Sequence, residues 1–122
     1  MTETRAPAGL RTSGRRLWQA VVSSYELAEH ERALLIEACR TLDLLDRLDT
    51  EVRRDGPVIQ TPQGLRAHPA AVEARQQRLT YGRLLAALRL PDDDTGDQPA
   101  SSGRPQRRGG ARGFYSLPGG AS

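Results

Sequence analysis

Two histidines, one cysteine, a set of carboxylates on one helical stretch and eighteen arginines are the side chains of this 122-residue chain that could do chemistry. Acid–base or metal chemistry needs several such groups within reach of one another. His30 and His68 fall in separate elements and Cys39 stands alone, so no metal-ligand spacing is present. No serine–histidine–aspartate set is evident. No glycine loop sits between a strand and a helix to cradle phosphate, because Arg108-Gly109-Gly110 lacks both flanking elements. Asp43, Asp46, Asp49 and Glu51 share a helix, but Asp43 and Asp46 project away from its apolar side. With Arg47, Arg53 and Arg54 nearby, the expectation is a solvated, ion-paired face. His30 reads as a surface or capping residue, and His68 as a cap or loop contact. Cys39, at the edge of an apolar stripe, reads as a buried, inert thiol. The expectation is therefore no catalytic residue, no metal and no cofactor.

The arginines are the more informative set. Every one of the eighteen basic residues is arginine, and a guanidinium suits carboxylate and phosphate equally well. Net charge runs +2 over residues 1–28, −3 over 29–55, +4 over 56–90 and zero over 91–122. An acidic helix followed by a basic one predicts a charge-matched pair. The basic helix could instead face nucleic-acid phosphate. Arg15 and Arg16, on the polar side of a short first helix, and Arg75, Arg78 and Arg89, in one arc of the last helix, carry that choice. Arg11, in the arm that precedes them, joins them as a candidate.

The elements that position these groups follow from periodicity. Residues 30–55, HERALLIEACRTLDLLDRLDTEVRRD, place Leu34, Leu35, Ala38, Leu42, Leu45, Leu48 and Val52 on one side at helical spacing. Thr41 joins them, and Leu34, Ala38, Thr41, Leu45, Leu48 and Val52 step alternately by four and three, a seam of about two and a half heptads. Gly56-Pro57 ends it. A helix this long needs a partner helix for its stripe. Upstream, residues 1–12 read as a flexible arm. Ser13-Gly14 offers an N-cap, and Gly14 to Tyr25 forms a short amphipathic helix with Leu17, Trp18, Val21 and Tyr25 on one face. Trp18, the one tryptophan, is expected to plug the core. Downstream, PVIQTPQGLRAHP reads as a small β-hairpin finger. His68-Pro69 opens a last helix running to about Leu90, with proline at its first position.

That last helix shows two apolar stripes. Ala70, Ala74, Tyr81, Leu84, Leu85 and Leu88 form one; Val72, Leu79, Ala86 and Leu90 form the other. Two stripes imply two packing partners: the long helix of the same chain, as an antiparallel hairpin, and a neighbouring copy. Leu45, Leu48, Val52, Val72, Leu79, Leu84 and Leu88 are the candidate oligomerisation residues. With 37% apolar and 4% aromatic residues, self-association is a common remedy for a small core.

From Pro91 the chain turns rich in Gly, Pro, Ser and charge, and is expected to be disordered alone. An acidic half, Asp92 to Asp97, precedes a basic half, Arg104 to Arg112, and Phe114, Tyr115 and Leu117 follow. A basic run with a terminal aromatic pair suggests a docking peptide for a protein partner or nucleic acid, with Arg107, Arg108, Arg112, Phe114 and Tyr115 as its candidates; the alternative is a merely solubilising tail. No signal peptide or membrane-length apolar run is visible, so a soluble intracellular protein is expected. The fold expectation is mainly all-α: arm 1–12, helical oligomerisation and DNA-engaging domain 13–90, disordered tail 91–122.

Taken in order, Gly14 with Leu17-Trp18, His30-Glu31 with Leu34-Leu35, Leu44 through Leu48, Gly56 and His68-Pro69 make a pattern over about residues 10–90. The pattern resembles small terminase subunits of tailed double-stranded DNA phages, and the tail's RRGGARGFY is similar to tails in that family. The resemblance implies a non-catalytic protein of the host cytoplasm. It would form a closed homo-oligomeric ring, engage double-stranded viral DNA and recruit the large terminase subunit, which carries the ATPase and nuclease. No helix-turn-helix is evident. The competing expectation is a helical adaptor or antitoxin-like module that binds protein and ignores DNA. A small DNA-binding regulator is disfavoured, because no recognition helix follows a tight turn.

Overall fold

The computed structural model describes residues 4–91 and 105–108. In chain order they form α1 (Thr12–Val22), β1 (Tyr25–Glu26), α2 (Glu29–Asp55), β2 (Val58–Thr61), β3 (Gly64–Ala67), α3 (Pro69–Leu88) and β4 (Gln106–Arg107). The architecture is mainly helical, with α2 as the spine against which α1 and α3 both pack. At the far end of α2, Gly56 takes φ 84° as the C-cap. A side chain tolerates that backbone poorly, which is why the helix stops at this residue. The chain then reverses through the β2–β3 hairpin, with Val58 opposite Ala67 and Thr61 opposite Gly64. α3 returns along α2, so that His68 meets Asp55 and Arg78 meets Asp49.

α3 starts as its sequence dictates. Pro69 occupies the first turn, where its missing N–H is no loss, and His68 Nδ1 accepts the Ala70 N–H at 2.9 Å. That acceptor role places the ring proton on Nε2, which donates to Asp55 Oδ2 at 2.8 Å. One imidazole thus caps α3 and ties it to the last residue of α2.

The core gathers where α1, the near end of α2 and the end of α3 converge. Trp18, Leu35, Leu88 and Cys39 are fully buried there, beside Leu10, Val21, Val22 and Tyr25. Trp18 is the core plug expected of it, with its indole N–H donating to the Thr4 carbonyl at 2.9 Å. Arg32 lies over its ring, 6.0 Å from the centroid. The arm is accordingly held to the body from Thr4 onward, and Leu10 is part of the core.

Four local readings are corrected. α1 spans Thr12–Val22, not 14–25, and its N-cap Arg11 makes no side-chain cap bond. The cap comes from another helix: Asp43 Oδ2 accepts the Arg11 N–H and Oδ1 accepts the Gly14 N–H, both at 2.7 Å. Asp46 accepts the Ser13 hydroxyl. Asp43 and Asp46 therefore fasten α1 to α2 rather than forming a merely solvated face. Tyr25 leaves α1 and enters β1, antiparallel to β4, so Gln106–Arg107 of the expected disordered tail are a docked strand. Finally, Leu90 packs against the core cluster and drops out of the outer stripe of α3.

Ala28, whose side chain carries no acceptor, still caps α2, because the buried Glu31 carboxylate turns back to accept the Ala28 N–H at 2.7 Å. This is half of a capping box, and it satisfies one orphan donor without help from the cap residue.

Candidate nucleic-acid and partner interface

The six arginines proposed for phosphate divide by what already holds them. Arg78 donates to both oxygens of Asp49, at 2.8 and 2.9 Å, and Arg15 donates to the Leu10 carbonyl at 2.6 Å. The Arg78–Asp49 pair is exposed, and exposed pairs are worth under about 1 kcal/mol, so its release is cheap; the Arg15 bond is part-buried against Leu10. Arg16, Arg75 and Arg89 are exposed. Arg89 is the C-cap of α3 in the left-handed region, φ 59°, which turns the chain towards Pro91. Arg11 lines a cleft of about 510 Å³ with Thr12, Asp43, Asp46, Arg47, Thr50 and Glu51. Although this cleft lies at a helix N-terminus, three carboxylates line it and one already serves the helix N–H groups. It is built for α1, not for an added anion.

The oligomerisation candidates divide too. Leu45 and Leu88 are buried within the single chain, and Leu48, Val52 and Leu84 are half-buried. Leu45 and Leu88 are thus taken up inside the chain's own fold. Val72 and Leu79 are different: they are 40% and 53% exposed on the side of α3 turned away from α2. They lie seven positions apart, and seven more lead to exposed Ala86, so the three share one face. Exposed Arg75 and Arg83 border the stripe. Leu65 at 72% and Val58 at 53% add apolar surface on the finger beyond the start of α3. The outer face of α3 and the finger thus present apolar side chains edged with guanidinium groups.

Of the docking candidates, Arg107 and Arg108 are described; Arg112, Phe114 and Tyr115 lie outside the described residues. The Arg107 guanidinium stacks on the Tyr25 ring at 5.3 Å. The Arg108 N–H donates to the Ser24 carbonyl at 2.8 Å, and its guanidinium donates to the Val22 carbonyl. Pro105 is buried. These contacts cap the C-terminal carbonyls of α1, where a positive charge also meets the negative end of the helix dipole.

Cys39 is fully buried, and burial, reinforced by nearby Asp43, pushes its thiol up to about 12. A thiol so poorly ionised is no nucleophile at neutral pH. Among the described residues no group of His, Cys, Asp or Glu is arranged to hold a metal ion. Nor is any helix there long and apolar enough to cross a membrane.

Sequence reasoning missed Asp43 as the cap of α1. Two signals were available: the poor cap residue at Arg11, and a glycine, Gly14, in the first turn of a helix that must approach another. The pairing of β1 with β4 left no signal, since PQRR carries neither strand alternation nor a turn. No family model matches the chain, and no curated protein or solved structure matches it.

Proposed function

We propose that the protein is a small terminase subunit of a tailed double-stranded DNA phage. In this reading it is a non-catalytic, ring-forming protein that engages viral DNA and recruits the large ATPase–nuclease subunit. The observation that carries it is the outer face of α3. Val72 and Leu79 are large, exposed and in register along a helix whose opposite side is already packed on α2. Such a face on one copy, meeting a different surface on the next, makes a head-to-tail contact, which builds a ring when the rotation between copies closes. Exposed Arg16, Arg75 and Arg89 supply phosphate attraction. Arg112, Phe114 and Tyr115 are left to recruit the large subunit. Light scattering on the purified chain at micromolar concentration tests the ring, and a monomer there rules it out. A plot of log affinity for duplex DNA against log salt tests the arginines, and a flat line counts against them.

A second reading, a helical adaptor without DNA binding, is favoured by one set of contacts. Arg15, Arg78, Arg107 and Arg108 all have partners within the chain. Absence of duplex binding at low salt, with a protein partner retained, would select it.

A further inference from the structure

Tyr25 holds the C-terminal part of the chain at two points. Its hydroxyl donates to the Pro91 carbonyl at 3.1 Å, and its ring lies under the Arg107 guanidinium. One buried side chain thus touches the described chain on both sides, at Pro91 and at Arg107. On the second side, Tyr25 pairs with Arg107 and Glu26 with Gln106, antiparallel. Pro105 is buried, and Arg108 closes on the carbonyls of Ser24 and Val22. The corner between α1 and α2 thus offers what an extended peptide with adjacent arginines needs. It has a short strand edge, an aromatic face for one guanidinium, and a helix C-terminus for the next.

We propose that this corner is a docking slot for residues 105–108 that keeps Arg107 and Arg108 off DNA phosphate until the strand lifts away. The inference rests on the DNA-engaging reading above. Its physical basis is that docking spends the Arg108 guanidinium on the Val22 carbonyl and holds Arg107 against the Tyr25 ring, so phosphate must compete with both contacts. A two-residue strand is among the weakest ordered elements a protein can hold, so it sits at the low-stability end where a binding partner can displace it. Duplex DNA competes for both arginines at once and gains released counterions in doing so.

The test uses the full chain carrying Glu26→Cys and Gln106→Cys. Opposed residues flanking the Arg108–Ser24 hydrogen bond by two positions form a hydrogen-bonded pair about 5.5 Å apart between Cα atoms, within disulfide range. Both positions are exposed, and Cys39 is buried and out of reach. Mild oxidation is expected to give an intrachain disulfide, seen as a faster-migrating monomer on a non-reducing gel, with unchanged helical circular dichroism. Salt titrations with a duplex are then run on the oxidised and reduced forms. The reduced form should show a log–log slope steeper by about 2, from two phosphates at about 0.9 each. Equal slopes overturn this inference and leave the DNA reading standing. Failure to form the intrachain disulfide overturns the slot. A chain that binds no duplex in either form overturns the DNA reading and this inference with it.

Discussion

Gly14 is where a single hydrogen atom decides how two helices meet. A Cβ built there would lie 2.7 Å from the Cys39 carbonyl oxygen and collide with the Asp43 carboxylate. One neighbour is backbone and the other is the cap of α1, so neither can give way without loss. Gly14→Ala is expected to destabilise the fold by about 2–3 kcal/mol in urea unfolding, against the gain a helical alanine normally brings. A neutral result would mean α1 does not sit this close. Cys39, across the same junction, makes the second prediction at this scale. With its thiol raised to about 12, it stays protonated at pH 8. A thiol-specific disulfide reagent should label no cysteine in the native protein and one per chain in denaturant. Rapid native labelling would place Cys39 outside the core.

At the scale of elements, the joint between α2 and α3 rests on His68 and Asp55. His68→Ala removes the cap of α3 and the bond to α2 together, and should cost about 1–2 kcal/mol of stability. His68→Asn, which keeps an acceptor at the cap, should recover part of it. The Arg54 guanidinium hydrogen-bonded to it, and after it His68, hold the Asp55 carboxyl down at about 2. For a carboxyl lowered on folding, the stabilisation is fully present above its ordinary value near 3.8. It fades as pH falls through about 2. Carboxyl NMR shifts should report that midpoint, and Asp55→Asn should flatten the stability curve between pH 4 and 2. An Asp55 midpoint near 4 would show that the joint is open in solution. The finger itself was legible from Val58-Ile59 and the Pro62-Gln63-Gly64 turn. So was α3, from His68-Pro69. The limits of α1 were not, because the group that caps it stands 29 residues away in sequence.

For the whole molecule, the prediction concerns the face of α3 that the single chain leaves uncovered. Val72→Glu with Leu79→Glu should weaken self-association by about 10–100-fold, the range expected for losing apolar burial of this size. Both residues are exposed in one chain, so helical content and the unfolding midpoint of dilute protein should be unchanged. Equal assembly of wild type and variant, by light scattering, would move the contact elsewhere.

Periodicity and composition alone determined the long spine helix, its stop at Gly56, the hairpin return, the buried Trp18 and the sealed thiol of Cys39. These depend on spacing within one segment, and local sequence carries that information. The tertiary structure decided what depends on side chains meeting across the chain. It made Asp43 the cap of α1 and placed Leu45 and Leu88 in the chain's own seam. It left Val72 and Leu79 uncovered, and it folded Arg107 back onto Tyr25 and Arg108 onto the carbonyls of Val22 and Ser24. A carboxylate on a helix reads the same in sequence whether water or another helix lies opposite, and only the packed chain supplies the neighbour that distinguishes them.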